Sequence, residues 1–90
     1  MSALPDTVDK YSQSRVFTET TTPANFQKHH QTRPGVWGKL VMERGAMQFE
    51  WEGDEAALSL AAGDTVVIPP ETPHRVILDG PVRFFVEFYR

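Results

Sequence analysis

Residues 63–74 read GDTVVIPPETPH, an apolar strand followed by a proline corner and then by a carboxylate and an imidazole three positions apart. The β-branched residues 66–68 favour a strand, and the prolines at 69 and 70 lack the backbone donors that would continue its ladder. The loop after them should therefore be stiff. Glu71 and His74 lie on that loop, where they can supply two ligands to a divalent cation. The alternative is that both belong to a solvated loop end.

The length and composition of the chain limit how it can be stabilised. Ninety residues form one domain, which hides only about 60–65% of the surface that its unfolded chain exposes. The chain has no cysteine, so it has no disulfide and no thiolate ligand, and any metal must be bound by nitrogen and oxygen. A metal ion or a subunit interface would supplement so small a core. We therefore expect a homo-oligomer, most simply a two-fold dimer.

The charge of the chain argues against nucleic-acid and membrane partners. The formal net charge is −3, the pI is near 5.5, and the nine basic residues are scattered. Nucleic-acid binding draws its affinity from clustered Lys and Arg, so no such partner is expected. No apolar run approaches the ~20 residues of a membrane span, and the N-terminus lacks the pattern of a secretion signal. The expected location is the cytoplasm.

Short apolar segments between turn residues predict an all-β fold. Residues 1–13 are polar and are predicted to be a flexible arm, followed by a domain over 14–90. Gly45, Gly53 and Gly63 lie where the chain should reverse, and 54–62 is predicted to be a strand rather than a short helix. The predicted strands lie near 15–19, 26–32, 36–43, 46–52, 56–61, 65–69, 74–79 and 82–89. Many short strands in a small domain indicate a barrel or a sandwich.

The second group of candidate ligands lies at residues 29 and 30. Adjacent residues of a strand face opposite ways, so at most one of His29 and His30 should face the inside of a barrel. His30 is the better candidate because it shares its face with Phe26 and Thr32. The alternative is that both histidines lie on the surface.

Glu87 is a further candidate because it lies in the apolar segment 82–89. A buried carboxylate needs a metal, a cation or a hydrogen-bond partner, since an unpaired buried ion is too costly. The alternative for Glu87 is a surface ion pair with Arg83.

Two family resemblances bear on these residues. Gly63, Pro69 and His74 have the spacing of the second sequence motif of the cupin superfamily, with Glu71 where that motif usually has a glycine. More specifically, the chain resembles the YeaR/TehB-like domain family over nearly all of residues 4–90. That resemblance is carried by residues 11–17, 30–32, 35–39, 69–74 and 85–89.

The resemblance implies a small, single-domain, cupin-like β-barrel of the jelly-roll type, also called a double-stranded β-helix. Such domains occur alone or in front of a methyltransferase domain in proteins linked to tellurite resistance. The 90 residues contain no Gly-rich strand-to-helix loop for a nucleotide-like cofactor, so methylation is not predicted for them.

The functional hypothesis is a metal-binding cupin that holds a small molecule or anion in a stress response to toxic oxyanions or reactive nitrogen species. His30, Glu71 and His74 are the predicted metal ligands, with Glu87 as the candidate fourth. Zinc is the first expectation, and iron, nickel or manganese are alternatives. Two other hypotheses stay open, a mononuclear metal-dependent oxygenase and a metal-free interaction or assembly module. Whether the protein is an enzyme is left open.

Overall fold

Antiparallel strands make up most of the regular structure in the computed structural model, which describes residues 3–54 and 56–90. Seven strands and one short 3-10 helix lie within those residues. In chain order they are β1 (Lys10–Gln13), β2 (Phe17–Thr18), the helix (Ala24–Gln27), β3 (Trp37–Trp51), β4 (Leu58–Ala61), β5 (Thr65–Ile68), β6 (His74–Ile77) and β7 (Val82–Tyr89). The prediction of an all-β fold is confirmed.

The 15-residue strand β3 organises the molecule because it belongs to two sheets. Its first part pairs with β7 on one side and with β5 on the other, so that Leu40 lies opposite both Val86 and Val66. Its last part pairs with β4 and with β6, so that Phe49 lies opposite both Leu58 and Val76. The first sheet is completed by β1 and β2, which both pair with β7.

The predicted reversal at Gly45 is wrong, since β3 continues through it as one strand. Leu40 and Met42 face the core before this point and Met47 and Phe49 face it afterwards, so the inward set changes from even to odd positions. The pairing with β7 shifts register just past Met42, which is the effect of a β-bulge. Gly45 has a positive φ of 77°, so it permits this change of face instead of ending the strand.

The predicted strand near 26–32 is also wrong. Residues 24–27 form the 3-10 helix instead, and the Phe26 N–H donates to the Pro23 carbonyl at 3.0 Å. Pro23 has φ near −57°, which suits the start of a helical turn. The Phe26 ring packs edge-on against Phe17 with centroids 5.3 Å apart. This segment therefore anchors to the core through an aromatic contact, and His30 meets the sheet only at an isolated bridge.

The remaining strand predictions are confirmed with small changes of boundary. The segment predicted at 56–61 is a strand over Leu58–Ala61. Glu55, which belongs to the wider segment 54–62 that was predicted to be a strand, lies outside the described residues. The predicted segments at 15–19, 65–69, 74–79 and 82–89 correspond to β2, β5, β6 and β7. The last four residues of the predicted arm form β1, which pairs with the end of β7.

The core lies between the inward faces of the two sheets. Met42, Met47, Phe49, Val76 and Phe84 are its most completely buried side chains. Alternation along β3 places Met47 and Phe49 in this core, where they are 1% and 0% exposed. Among the described residues no helix is long and apolar enough to cross a bilayer.

Candidate ligand cavity and histidine pair

A cavity of about 390 Å³ is lined by residues of both sheets and of the loop that precedes β3. Its apolar wall comes mainly from side chains that face inward from strands β3, β5, β6 and β7. Polar side chains come chiefly from the segment 30–33 and from the start of β6. The apolar members are Phe26, Val36, Leu40, Ile68, Val76, Val86 and Phe88, and the others are Tyr11, Ser12, His30, Gln31, Thr32, Arg33 and His74.

His30 and His74 are brought together by a local pairing of their backbones. Each N–H donates to the carbonyl of the other residue at 2.9 Å, which makes an isolated antiparallel bridge. The two rings consequently lie side by side, with centroids 4.3 Å apart and planes at 57°. The proline corner ends β5 at Ile68 and starts β6 at His74, so the chain reaches this position as the sequence predicted.

Hydrogen bonds to carbonyls orient both rings. Nδ1 of His74 lies 2.7 Å from the Thr72 carbonyl oxygen, and Nδ1 of His30 lies 3.2 Å from that of Lys28. A carbonyl can only accept, so an imidazole that is neutral in either position donates through Nδ1 and keeps a lone pair on Nε2. This is the arrangement by which proteins orient metal-binding imidazoles, and it equally suits an imidazole that accepts a hydrogen bond from a ligand.

Aromatic rings enclose the histidine pair on its outer sides. Phe26 stacks on His30 with centroids 5.0 Å apart and planes at 12°, and Phe49 stacks on His74 at 5.4 Å and 14°. The edge of Trp51 completes the surroundings of His74 at 6.0 Å. Such contacts restrict the rotation of both imidazoles and help to bury His74.

Burial controls the charge of His74, which is only 4% exposed. Desolvation lowers its pKa to about 4, and the hydrogen bond to Thr72 opposes that shift in part. The nearby imidazoles of His30 and His29 add a smaller repulsion that also lowers the pKa of His74. The ring is therefore neutral at pH 7 and can act as a ligand or as a hydrogen-bond acceptor.

The two predicted carboxylates lie elsewhere. Glu71 is exposed at the corner with φ of 56°, and its backbone N–H donates to the Thr32 carbonyl at 3.3 Å. Glu87 lies between Val86 and Phe88, which both line the cavity, so strand alternation directs its side chain to the opposite face.

On that face Glu87 accepts hydrogen bonds from Lys10 Nζ at 2.9 Å and from the Tyr89 hydroxyl at 3.2 Å. The hydrogen bond from Lys10 is the main reason that the pKa of Glu87 is lowered. The alternative pairing of Glu87 with Arg83 is not formed, because Arg83 lies against Glu43 at 3.3 Å.

The predicted four-ligand set is therefore not assembled. Within residues 3–54 and 56–90, no group of three or more His, Asp or Glu side chains is placed to hold a metal ion. The histidine pair fits a divalent cation in the type of its nitrogens, but it supplies only two donors. Zinc sites ordinarily have three or four protein ligands.

His29 takes the opposite direction from His30. Its Nε2 lies 3.4 Å from the Glu50 carboxylate, which also accepts a hydrogen bond from Arg75 at 3.0 Å. The choice of His30 over His29 as the residue that faces inward thus agrees with the structure, although the predicted strand that led to it does not form.

Arg33 is the charged lining residue that the sequence analysis did not single out. It stands three positions after His30, and its proximity to a predicted site residue was the available signal. The apolar side chains of the cavity wall were also not predicted as a binding surface, since the cavity exists only once the strands are paired. Alternation along residues 86–88 could have placed Glu87 outside the cavity.

A jelly-roll barrel of antiparallel strands with an internal cavity defines a small cupin-like domain, and solved structures agree. An Escherichia coli K12 protein of known crystal structure has a TM-score of 0.86 at 24% identity, over 100% of this chain and 88% of that one. An RmlC-like cupin from Desulfovibrio desulfuricans has a TM-score of 0.59 at 25% identity, over 67% of this chain and 56% of that one.

The chain belongs to the TehB-like domain family, whose sequence model matches residues 12–86. A curated relative is the probable S-adenosyl-L-methionine-dependent methyltransferase TehB of Haemophilus influenzae strain Rd, 32% identical over 71 residues, or 73% of this chain. The chain spans only 25% of the length of that relative. The family resemblance predicted from the sequence is thus confirmed.

Proposed function

We propose that this protein is a small-ligand-binding cupin-like domain, whose ligand occupies the cavity beside the His30–His74 pair. The observation that carries the proposal is the cavity of about 390 Å³, which has an apolar wall and oriented imidazoles at one side. Ligand sites in proteins are typically concave and mostly apolar, with a few placed polar groups. The proposed ligand is a small molecule or anion.

A divalent metal is the second part of the proposal. His30 and His74 would hold it through Nε2, and water or ligand oxygen would complete the coordination. Zinc remains the first expectation, with iron, nickel or manganese as alternatives. When bound, such a cation would polarise an oxygen of the ligand. With two protein donors, we expect weaker binding than in zinc sites that have three.

A stress-response role, toward tellurite or reactive nitrogen species, rests on the family resemblance. The Haemophilus relative is named as a methyltransferase, and it is four times as long as the part that this chain matches. Methyltransferase activity is therefore not proposed for this chain.

Binding is favoured over the oxygenase alternative for a structural reason. Iron oxygenases of the facial-triad type need a carboxylate beside their two histidines. Neither Glu71 nor Glu87 lines the cavity, and among the described residues no third ligand joins the pair. We therefore propose no reaction.

Metal analysis of the purified, tag-free protein tests the metal part. We expect the wild type to contain up to one metal ion per chain. In His30→Ala and His74→Ala the occupancy should fall at least about tenfold, since each substitution removes one of the two protein donors. His29→Ala is the matched control, because its ring lies against Glu50 outside the cavity. Equal metal content in all four proteins would contradict the metal proposal and leave ligand binding to be judged separately.

A further inference from the structure

We propose that the cavity accepts an organic anion, with an apolar body inside the barrel and a carboxylate or similar oxyanion head against the Arg33 guanidinium. This inference rests on the proposed ligand-binding function and specifies its ligand class. It excludes bare inorganic oxyanions as the preferred occupants.

The charge distribution of the lining is the first observation. The chain has 12 acidic and 9 basic residues, yet no Asp or Glu of its described part lines the cavity. Arg33 is the one lining side chain there with a permanent charge, and it takes part in none of the four ion pairs found among the described residues. A guanidinium so placed favours an anionic head and can bind it through two hydrogen bonds.

The local backbone holds Arg33 at the rim. The Val36 N–H donates to the Arg33 carbonyl at 3.0 Å, with proline at 34 and a positive φ of 76° at Gly35. Proline followed by glycine is the pattern of a type II turn. The Thr32 hydroxyl donates to the Val36 carbonyl at 2.8 Å and braces the same turn. A tight turn therefore carries Arg33, which is exposed and lines the cavity.

The depth of the cavity has the opposite character. Leu40, Ile68, Val76 and Val86 are at most 7% exposed and form the inner wall. An inorganic oxyanion would lose its hydration against this wall without gaining hydrogen bonds, which is costly. An apolar body removes the same wall from water, which is favourable in proportion to the area covered. A charged rim and an apolar interior together select an amphipathic anion.

Four probes separate these features in titrations followed by calorimetry and by amide chemical shifts. Benzoate has both the apolar body and the charged head. Benzamide has the same body with a neutral head, and acetate has the charged head alone. Tellurite is the inorganic oxyanion. We expect benzoate to bind at least about tenfold more tightly than each of the other three, since a hydrogen bond to a charged group and a buried ring each contribute about that factor.

Substitution of Arg33 tests the position of the head. Arg33→Gln should weaken benzoate about tenfold and leave benzamide unchanged. Arg44→Gln is the matched control, since it removes the same charge from an exposed position of β3 that does not line the cavity. It should leave both affinities unchanged.

The outcomes distinguish this inference from the function on which it rests. Equal affinity for benzoate and benzamide, or equal losses in the two arginine variants, would overturn the anionic head at Arg33. Acetate or tellurite binding as tightly as benzoate would overturn the apolar body. If no probe changes the amide chemical shifts of the cavity residues, the proposed ligand-binding function itself is contradicted.

Discussion

At the scale of single residues, His74 shows how surroundings decide the chemistry of a side chain. A histidine in a proline-rich turn is ordinarily exposed and titrates near its usual pKa of about 6.5. Here Phe49 and Trp51 cover the ring, and the Thr72 carbonyl accepts a hydrogen bond from its Nδ1. Burial keeps the imidazole neutral because the charged form would lose its hydration.

The lowered pKa of His74 predicts a loss of stability in mild acid. Its pKa falls from 6.5 in the unfolded chain to about 4 in the fold, so between these values the unfolded state binds more protons. Stability contributed by the neutral ring is fully present above pH 6.5 and decreases as the pH falls toward 4. The loss is on the order of 3 kcal/mol at the acid end. Urea unfolding at a series of pH values measures it.

His74→Asn is the matched variant for this pH prediction. An asparagine amide can keep a donor near the Thr72 carbonyl but has no proton to gain over this range. The variant should have lower stability at pH 7 and a flatter dependence on pH than the wild type. Parallel pH profiles for the two proteins would contradict the assignment to His74.

At the scale of elements, β3 carries the architecture because one strand serves both sheets. Its two parts are each paired on both sides, so β3 has more partner strands than any other strand of residues 3–54 and 56–90. The change of inward face between Met42 and Met47 allows both parts to bury their apolar residues. Gly45 is required at this point because a Cβ would collide with the Pro81 carbonyl oxygen.

Substitution of Gly45 should therefore damage the whole fold. Gly45→Ala forces a positive φ on a residue with a Cβ and pushes against backbone, so we expect a loss of at least about 2 kcal/mol in the free energy of unfolding. Gly80→Ala is the control, because Gly80 has open space around its Cβ position. It should change stability by less than about 0.5 kcal/mol. Chemical denaturation that finds equal effects would contradict this role of Gly45.

At the scale of the whole molecule, small size and an open sheet edge favour association. All four residues of β1 are exposed, Tyr11 is 44% exposed, and β1 ends the path of paired strands. An exposed edge strand offers unpaired backbone groups to another chain. The two-fold dimer predicted from the sequence stays a prediction.

Light scattering coupled to size exclusion tests the dimer. We expect a mass of two 10.2 kDa chains at micromolar concentration, with dissociation on dilution if the interface is small. The mass is measured at pH 7 over a hundredfold range of protein concentration, so that a weak dimer can be seen to dissociate. A mass of one chain throughout that range would contradict the dimer and would leave the ligand cavity unaffected.

The sequence by itself determined the features that are encoded locally. The apolar segment and prolines of residues 63–74 specify where β5 ends and β6 begins, and the alternation in residues 82–89 predicts a strand of those bounds. Period-two patterns and prolines act on a few neighbouring residues, so they can be interpreted from one segment alone.

Only the tertiary structure decided which candidate residues meet. His30 and His74 are 44 positions apart and come together through a backbone bridge, while Glu71 and Glu87 remain outside the cavity. The continuity of β3 through Gly45 likewise depends on partners from four other strands. Register and sheet membership are set by contacts between distant segments, so no local pattern specifies them.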